Sequence, residues 1–158
     1  MKQRINKPRV FLSHSRHDVE IIEKIENDFR RCQIESWRDQ NDIRDGFSWQ
    51  EAIFGEGIPT CDVIITYYTE NSIASQMVRK EVDATFIRQL EDNGIRFLPY
   101  VDKDSTRSEL RADVKTLQCR VWNNENYNQV LPTVVAEIWR SYMERNIAIA
   151  ISTDETEV

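Results

Sequence analysis

Apolar positions in this chain fall into short continuous runs separated by stretches with a helical repeat. Arg9 to Ser13 (RVFLS), just after Pro8, predicts a buried first strand. A polar turn, His14 to His17, leads to Asp18, which can cap a helix whose apolar residues Ile22, Ile25, Phe29 and Cys32 recur every three or four positions. Glu20 and Glu23 near its start, and Arg30 and Arg31 in its last turn, suit the helix dipole. Ile34 to Trp37 reads as a short second strand, followed by the charged loop Arg38 to Gly46. Ser48-Trp49-Gln50-Glu51 has the form of a capping box, opening a helix that Gly55, Gly57 and Pro59 end.

Asp62 to Tyr67 (DVIITY) is a continuous β-branched run and predicts a central strand. A helix opening near Ser75 then continues to about Leu90. Ile95 to Val101 predicts a fourth strand, with Pro99 as a difficulty because proline cannot donate to a sheet ladder. Asp102 to Asp113 is polar and predicts a loop with a short helix. Cys119 to Trp122 predicts a fifth strand, and Gln129 to Glu144 a last helix with Val130, Val134, Ile138 and Tyr142 on one face. Ile147 to Val158 alternates and then turns acidic, and reads as a tail or a docking segment.

Strands alternating with helices five times demand crossover connections, hence a mainly parallel sheet with helices on both faces. The expected architecture is a flavodoxin-like, doubly wound, five-stranded sheet of order 2-1-3-4-5. Such a sheet binds ligands outside the carboxyl ends of its strands, between the first and the third. Ser13 to Arg16 and Tyr67 to Ser72 leave those ends.

Composition narrows the classes. The 158 residues suit a single domain, and a formal net charge of −6 argues against a duplex-binding protein held by phosphate contacts. Cys32, Cys61 and Cys119 are odd in number and widely spaced, fitting neither a disulfide framework nor a zinc site. No apolar run approaches the roughly 20 residues of a membrane span, and no apolar segment follows the basic N-terminus as a secretory signal requires. A cytoplasmic location is expected, with no membrane and no nucleic-acid partner.

One acid stands out. On a helix Glu81 neighbours Met77, Val78, Ala84 and Thr85, none of them positive, whereas Asp83 sees Arg79 and Lys80. Glu81 is therefore either a functional carboxylate or an acid bonded by a distant amide or by solvent.

Several segments together resemble the Toll/interleukin-1 receptor (TIR) domain family. RVFLSHS at 9–15 is similar to the family's first box. Trp37, Asp39 and Gly46 resemble its second strand and BB loop, and DVIIT with Ser75 and Glu81 its third strand and the segment after it. The resemblance runs from Pro8 to Tyr142. It suggests an arm at 1–7, a TIR domain of bacterial stand-alone type at 8–146 and an acidic tail at 147–158. It implies one of two trades.

The first is cleavage of NAD+ at the nicotinamide–ribose bond, with release or cyclisation of the ADP-ribose, as part of bacterial anti-phage immunity. Glu81 is then the catalytic residue, and Ser13, His14, Arg16, Asp39, Gly46 and Met77 are the candidate substrate-binding positions. NAD+ is the substrate, and neither a further cofactor nor a metal is expected. The second is a non-catalytic scaffold that signals by TIR–TIR association. In both, the BB loop at 38–46 would meet another TIR domain, and a downstream effector sensing the product is an expected partner of the enzyme. A receiver-like signalling domain shares the fold but needs acids just after the first strand, where this chain has Ser13 and His14.

Overall fold

The computed structural model describes residues 7–38, 61–72, 84–110 and 117–156. They form a five-stranded, all-parallel sheet: β1 (Arg9–Ser13), β2 (Glu35–Arg38), β3 (Val63–Tyr68), β4 (Arg96–Val101) and β5 (Arg120–Val121). The strand order is β2-β1-β3-β4-β5, the doubly wound order expected from the alternation of elements. The helices are α1 (Val19–Arg31), α2 (Ala84–Asp92), the short α3 (Asp104–Ser108) and α4 (Tyr127–Thr156).

β3 is buried at all six positions, as a β-branched run at the centre of a sheet covered on both faces requires. Alternation along the strands divides the core in two. Val10, Leu12, Val63, Ile65 and Tyr67 pack with Ile22, Ile25 and Phe29 of α1 and Val130, Val134 and Ile138 of α4. Phe11, Ile64, Tyr68, Phe97 and Val101 pack on the opposite face with Ile87 and Leu90 of α2. Trp122, fully buried, stacks on Tyr127 with ring centroids 5.4 Å apart and meets Tyr100 edge-on at 5.3 Å. Tyr67 donates its hydroxyl to the Trp122 carbonyl at 2.7 Å, tying β3 to the chain after β5.

Three features sharpen the sequence reading. Pro99 lies inside β4 and pairs in register with Thr66 of β3. Arg96 and Asp102 donate their amides toward the β3 side, whereas the Val101 carbonyl accepts from Trp122 on the β5 side. Peptide directions alternate along a strand, so Pro99 faces the β5 side. Pairing with β5 begins only at Tyr100, so the missing N–H of Pro99 falls just below the start of that ladder.

The first helix is preceded by a 3-10 turn, Arg16–Asp18, which Ser15 caps by accepting from the His17 amide at 3.3 Å. Asp18 stands at the N-cap position of α1 but makes no side-chain cap hydrogen bond. The last helix begins at Tyr127 and runs unbroken past Glu144 to Thr156, because no glycine or proline follows to end it. The helix expected to open at Ser48 lies outside the described residues.

Candidate functional site

The crevice at the switch in strand order lies between the carboxyl ends of β1 and β3, the expected ligand position in this architecture. Ser13 ends β1 and pairs in register with Thr66, which pairs in turn with Pro99. By alternation this row lies on the sheet face that α2 covers, with Phe11 and Ile64 below it. Ser13 and Thr66 are both buried. The Thr66 hydroxyl has no hydrogen-bond partner among the described residues. His14 follows, half-buried, with Nδ1 shielded from solvent. Arg16 lies in the 3-10 turn beyond it.

The opposite lip is built by the turn after β3. Thr69 donates its amide to Ser72 Oγ at 2.7 Å, and Ser72 returns its own amide to Thr69 Oγ1 at 3.3 Å. This reciprocal pair is a capping box for the helical turn at residues 70–72. The Thr69 hydroxyl donates to the Asp18 carboxylate at 2.7 Å, so the two lips are joined across the crevice. Desolvation by burial pushes the Asp18 carboxyl above its ordinary value, against the opposing pull of hydrogen bonds from Thr69 and Asn71. Asp102 adds to the upward shift by like-charge repulsion.

Asp102 follows β4, donates its amide to the Tyr68 carbonyl at 3.1 Å and accepts from Thr106 at 2.5 Å. Its neighbour Lys103 forms an ion pair with Glu70 on the turn after β3. Three strand ends are thereby braced into one rim of hydroxyls and carboxylates. Two of the thiols are buried away from this rim's chemistry: burial raises Cys61 to about 12 and also pushes Cys119 up. Among the described residues no group of three His, Cys, Asp or Glu side chains could hold a metal ion.

Of the residues singled out in the sequence, Ser13 and His14 stand at the crevice, with the backbone of Arg16 in the adjoining turn. Asp39, Gly46, Met77 and Glu81 lie outside the described residues. Asp18, Thr69, Ser72 and Asp102 were not singled out as site residues. The T-x-x-S spacing of Thr69 and Ser72 is a capping signal readable in the sequence. The Asp18–Thr69 bond joins positions 51 apart and left no local mark.

The sheet order and its flanking helices define a flavodoxin-like, doubly wound α/β protein. The response regulator TrrA from Thermotoga maritima, solved in complex with Mg2+ and BeF, is similar in fold. Its TM-score is 0.52 at 16% identity over 83% of this chain and 98% of that one, a likeness of fold alone. A family model described as TIR domain matches residues 10–131, and the chain belongs to that family. No curated protein matches the chain. No described helix is long and apolar enough to cross a membrane.

Proposed function

We propose that this TIR domain is an NAD+ nucleosidase or ADP-ribosyl cyclase, acting through Glu81 in bacterial anti-phage immunity. The observation that carries the reading is the pairing of a TIR family match with a hydroxyl-rimmed crevice at the switch point. Ser13 and Thr66 lie on the sheet face covered by α2, and Glu81 precedes Ala84, the first residue of α2, by three positions in the sequence.

The chemistry asks little of the protein. Nicotinamide leaves as a neutral base from a cationic precursor, so no general acid is needed. Positive charge develops on the ribose, as in other glycosyl transfers, and a carboxylate beside the ribose hydroxyls stabilises it. That effect grows where water is excluded. Ser13 and His14 line the nicotinamide end in this reading, Met77 supplies an apolar wall, and Arg16 faces a phosphate. Asp39 and Gly46 shape the BB loop, which a neighbouring TIR domain supplies to complete the pocket.

The test is incubation with NAD+, alone and under conditions that promote assembly, with products identified by mass spectrometry. Wild type is expected to release nicotinamide and Glu81→Gln to fold normally and release none. Wild-type activity in Glu81→Gln overturns the mechanism. No nicotinamide under any condition assigns the domain to the scaffold class instead.

A further inference from the structure

β5 pairs with β4 only at Tyr100 and Val101, so the amino half of β4, Arg96 to Pro99, has no described strand on its outer side. Phe97 turns its amide and carbonyl to that open side, because peptide directions alternate and Arg96 bonds toward β3. A cavity of about 680 Å3 lies there, within the usual size of small-molecule sites. α2, through Ile87, and α4, through Thr133 and Ser141, close its sides. Leu98 and Leu117, both only partly buried, give it an apolar wall.

The polar groups of this cavity are incompletely matched. Tyr100 is only 6% exposed, yet its hydroxyl makes no hydrogen bond among the described residues. Burial raises that hydroxyl to about 12, with Glu137 adding to the rise and Arg120 and Arg96 opposing it. It is therefore an uncharged donor at neutral pH, and all three charges lie close enough to act on it. Arg96 is taken by Glu137 at 3.1 Å. Arg120 donates to the uncharged Thr133 hydroxyl at 3.0 Å and has no carboxylate partner among the described residues. Tyr100 and Arg120 are in-register neighbours on β4 and β5, so their side chains rise from the same sheet face. An idle donor thus stands beside an unmatched guanidinium. Elsewhere in the lining, Arg145 is held by Asp62 and Glu144 by Arg140.

We infer that this cavity binds a small organic monoanion, a carboxylate on an apolar body. The carboxylate accepts from the Arg120 guanidinium and the Tyr100 hydroxyl, and such charge-assisted bonds are stronger than those between neutral groups. The apolar body covers Leu98 and Leu117. A single negative charge fits, because Glu91 and Glu137 also line the cavity and would repel a second. The site is separate from the crevice between β1 and β3 and does not rest on the catalytic reading.

Titration of the isotope-labelled full chain with phenylacetate, followed by its amide NMR shifts, tests this. Saturable shifts with a Kd of about 1 mM or tighter are expected at Leu98, Tyr100 and Arg120, and none at Ser13 or Thr66. Arg120→Gln is expected to weaken binding at least about tenfold. Tyr100→Phe keeps the edge-on contact with Trp122 and is expected to weaken binding about threefold at unchanged Tm. Uncharged phenylacetamide and dianionic phenyl phosphate should each bind at least about tenfold more weakly than phenylacetate. No saturable shift up to about 20 mM phenylacetate overturns the proposal. So do shifts confined to the crevice, or binding by Arg120→Gln that equals wild type. Equal binding of the amide leaves an apolar pocket only, and tighter binding of phenyl phosphate refutes the single charge; either overturns it. A lowered Tm in Tyr100→Phe assigns that hydroxyl to the fold and overturns its role here.

Discussion

The Thr69 hydroxyl donates to the Asp18 carboxylate at 2.7 Å, joining the turns that leave two neighbouring strands, β1 and β3. Asp18 is half-buried, and desolvation holds its carboxyl above the ordinary 3.8 despite that bond. The folded chain therefore binds this proton more tightly than the unfolded chain. Linkage then makes Asp18's contribution most favourable below the ordinary carboxylate range, and it is lost as pH rises through the raised folded value. Asparagine keeps an oxygen for Thr69 without the charge. Asp18→Asn is thus expected to raise Tm at neutral pH, with the difference closing below about pH 3.8. A pH series of thermal melts checks this, and a variant less stable at neutral pH contradicts it.

An acid before an amphipathic helix carries a local signal for capping, but the partner that Asp18 takes is 51 positions away and invisible to local pattern. β1 and β3 were legible because RVFLS and DVIITY are continuous apolar runs, which only a sheet covered on both faces explains. Pro99 argued against a central strand, and its accommodation rests on β5 starting one residue later, a register no single strand reveals. Glu81 and the BB loop rest on resemblance, and Glu81 also on the lack of a local partner; both lie outside the described residues.

Thr66 separates stability from function. Its hydroxyl is buried without a partner among the described residues, and an unpaired buried hydroxyl is costly. Thr66→Val keeps the shape and removes the orphan, so urea unfolding should show a gain of about 1 kcal/mol. If the crevice binds NAD+, nicotinamide release should fall in the same variant. Loss of both stability and activity would mean that the hydroxyl is satisfied in solution.

Two helices end alike but with different residues. At the end of α1, Gln33 has φ 61° and Ile34 donates its amide to Phe29 at 2.8 Å. At the end of α2, Gly94 has φ 73° and Ile95 donates to Leu90 at 2.8 Å. Both are left-handed helix terminations followed by a buried isoleucine, and glycine is the residue they favour. Gln33→Gly should stabilise the chain by about 1 kcal/mol, and Gly94→Ala should destabilise it by a similar amount. A Cβ at Gly94 would meet nothing closer than the Arg145 side chain at 3.7 Å, so that loss is conformational rather than steric. Chemical denaturation of both variants measures it.

Arg145 anchors α4 to the amino end of the sheet. It donates to the Cys61 carbonyl at 2.7 Å and reaches Asp62 Oδ1 at 3.2 Å, while Asp62 Oδ2 accepts the Arg9 amide at 2.9 Å. Asp62 is only 6% exposed, so its charge depends on these partners. Removing the guanidinium leaves a buried carboxylate short of compensation, which typically costs about 3 kcal/mol or more. Arg145→Met is expected to lose about that much, because methionine keeps the apolar stem but supplies no charge. Asp62→Asn in the same chain removes the stranded charge and should recover a large part, giving a coupling energy of about 1 kcal/mol or more in a double-mutant cycle. Additive losses would show that the two side chains stabilise the fold separately, through Cys61 and Arg9, and that their ion pair contributes little.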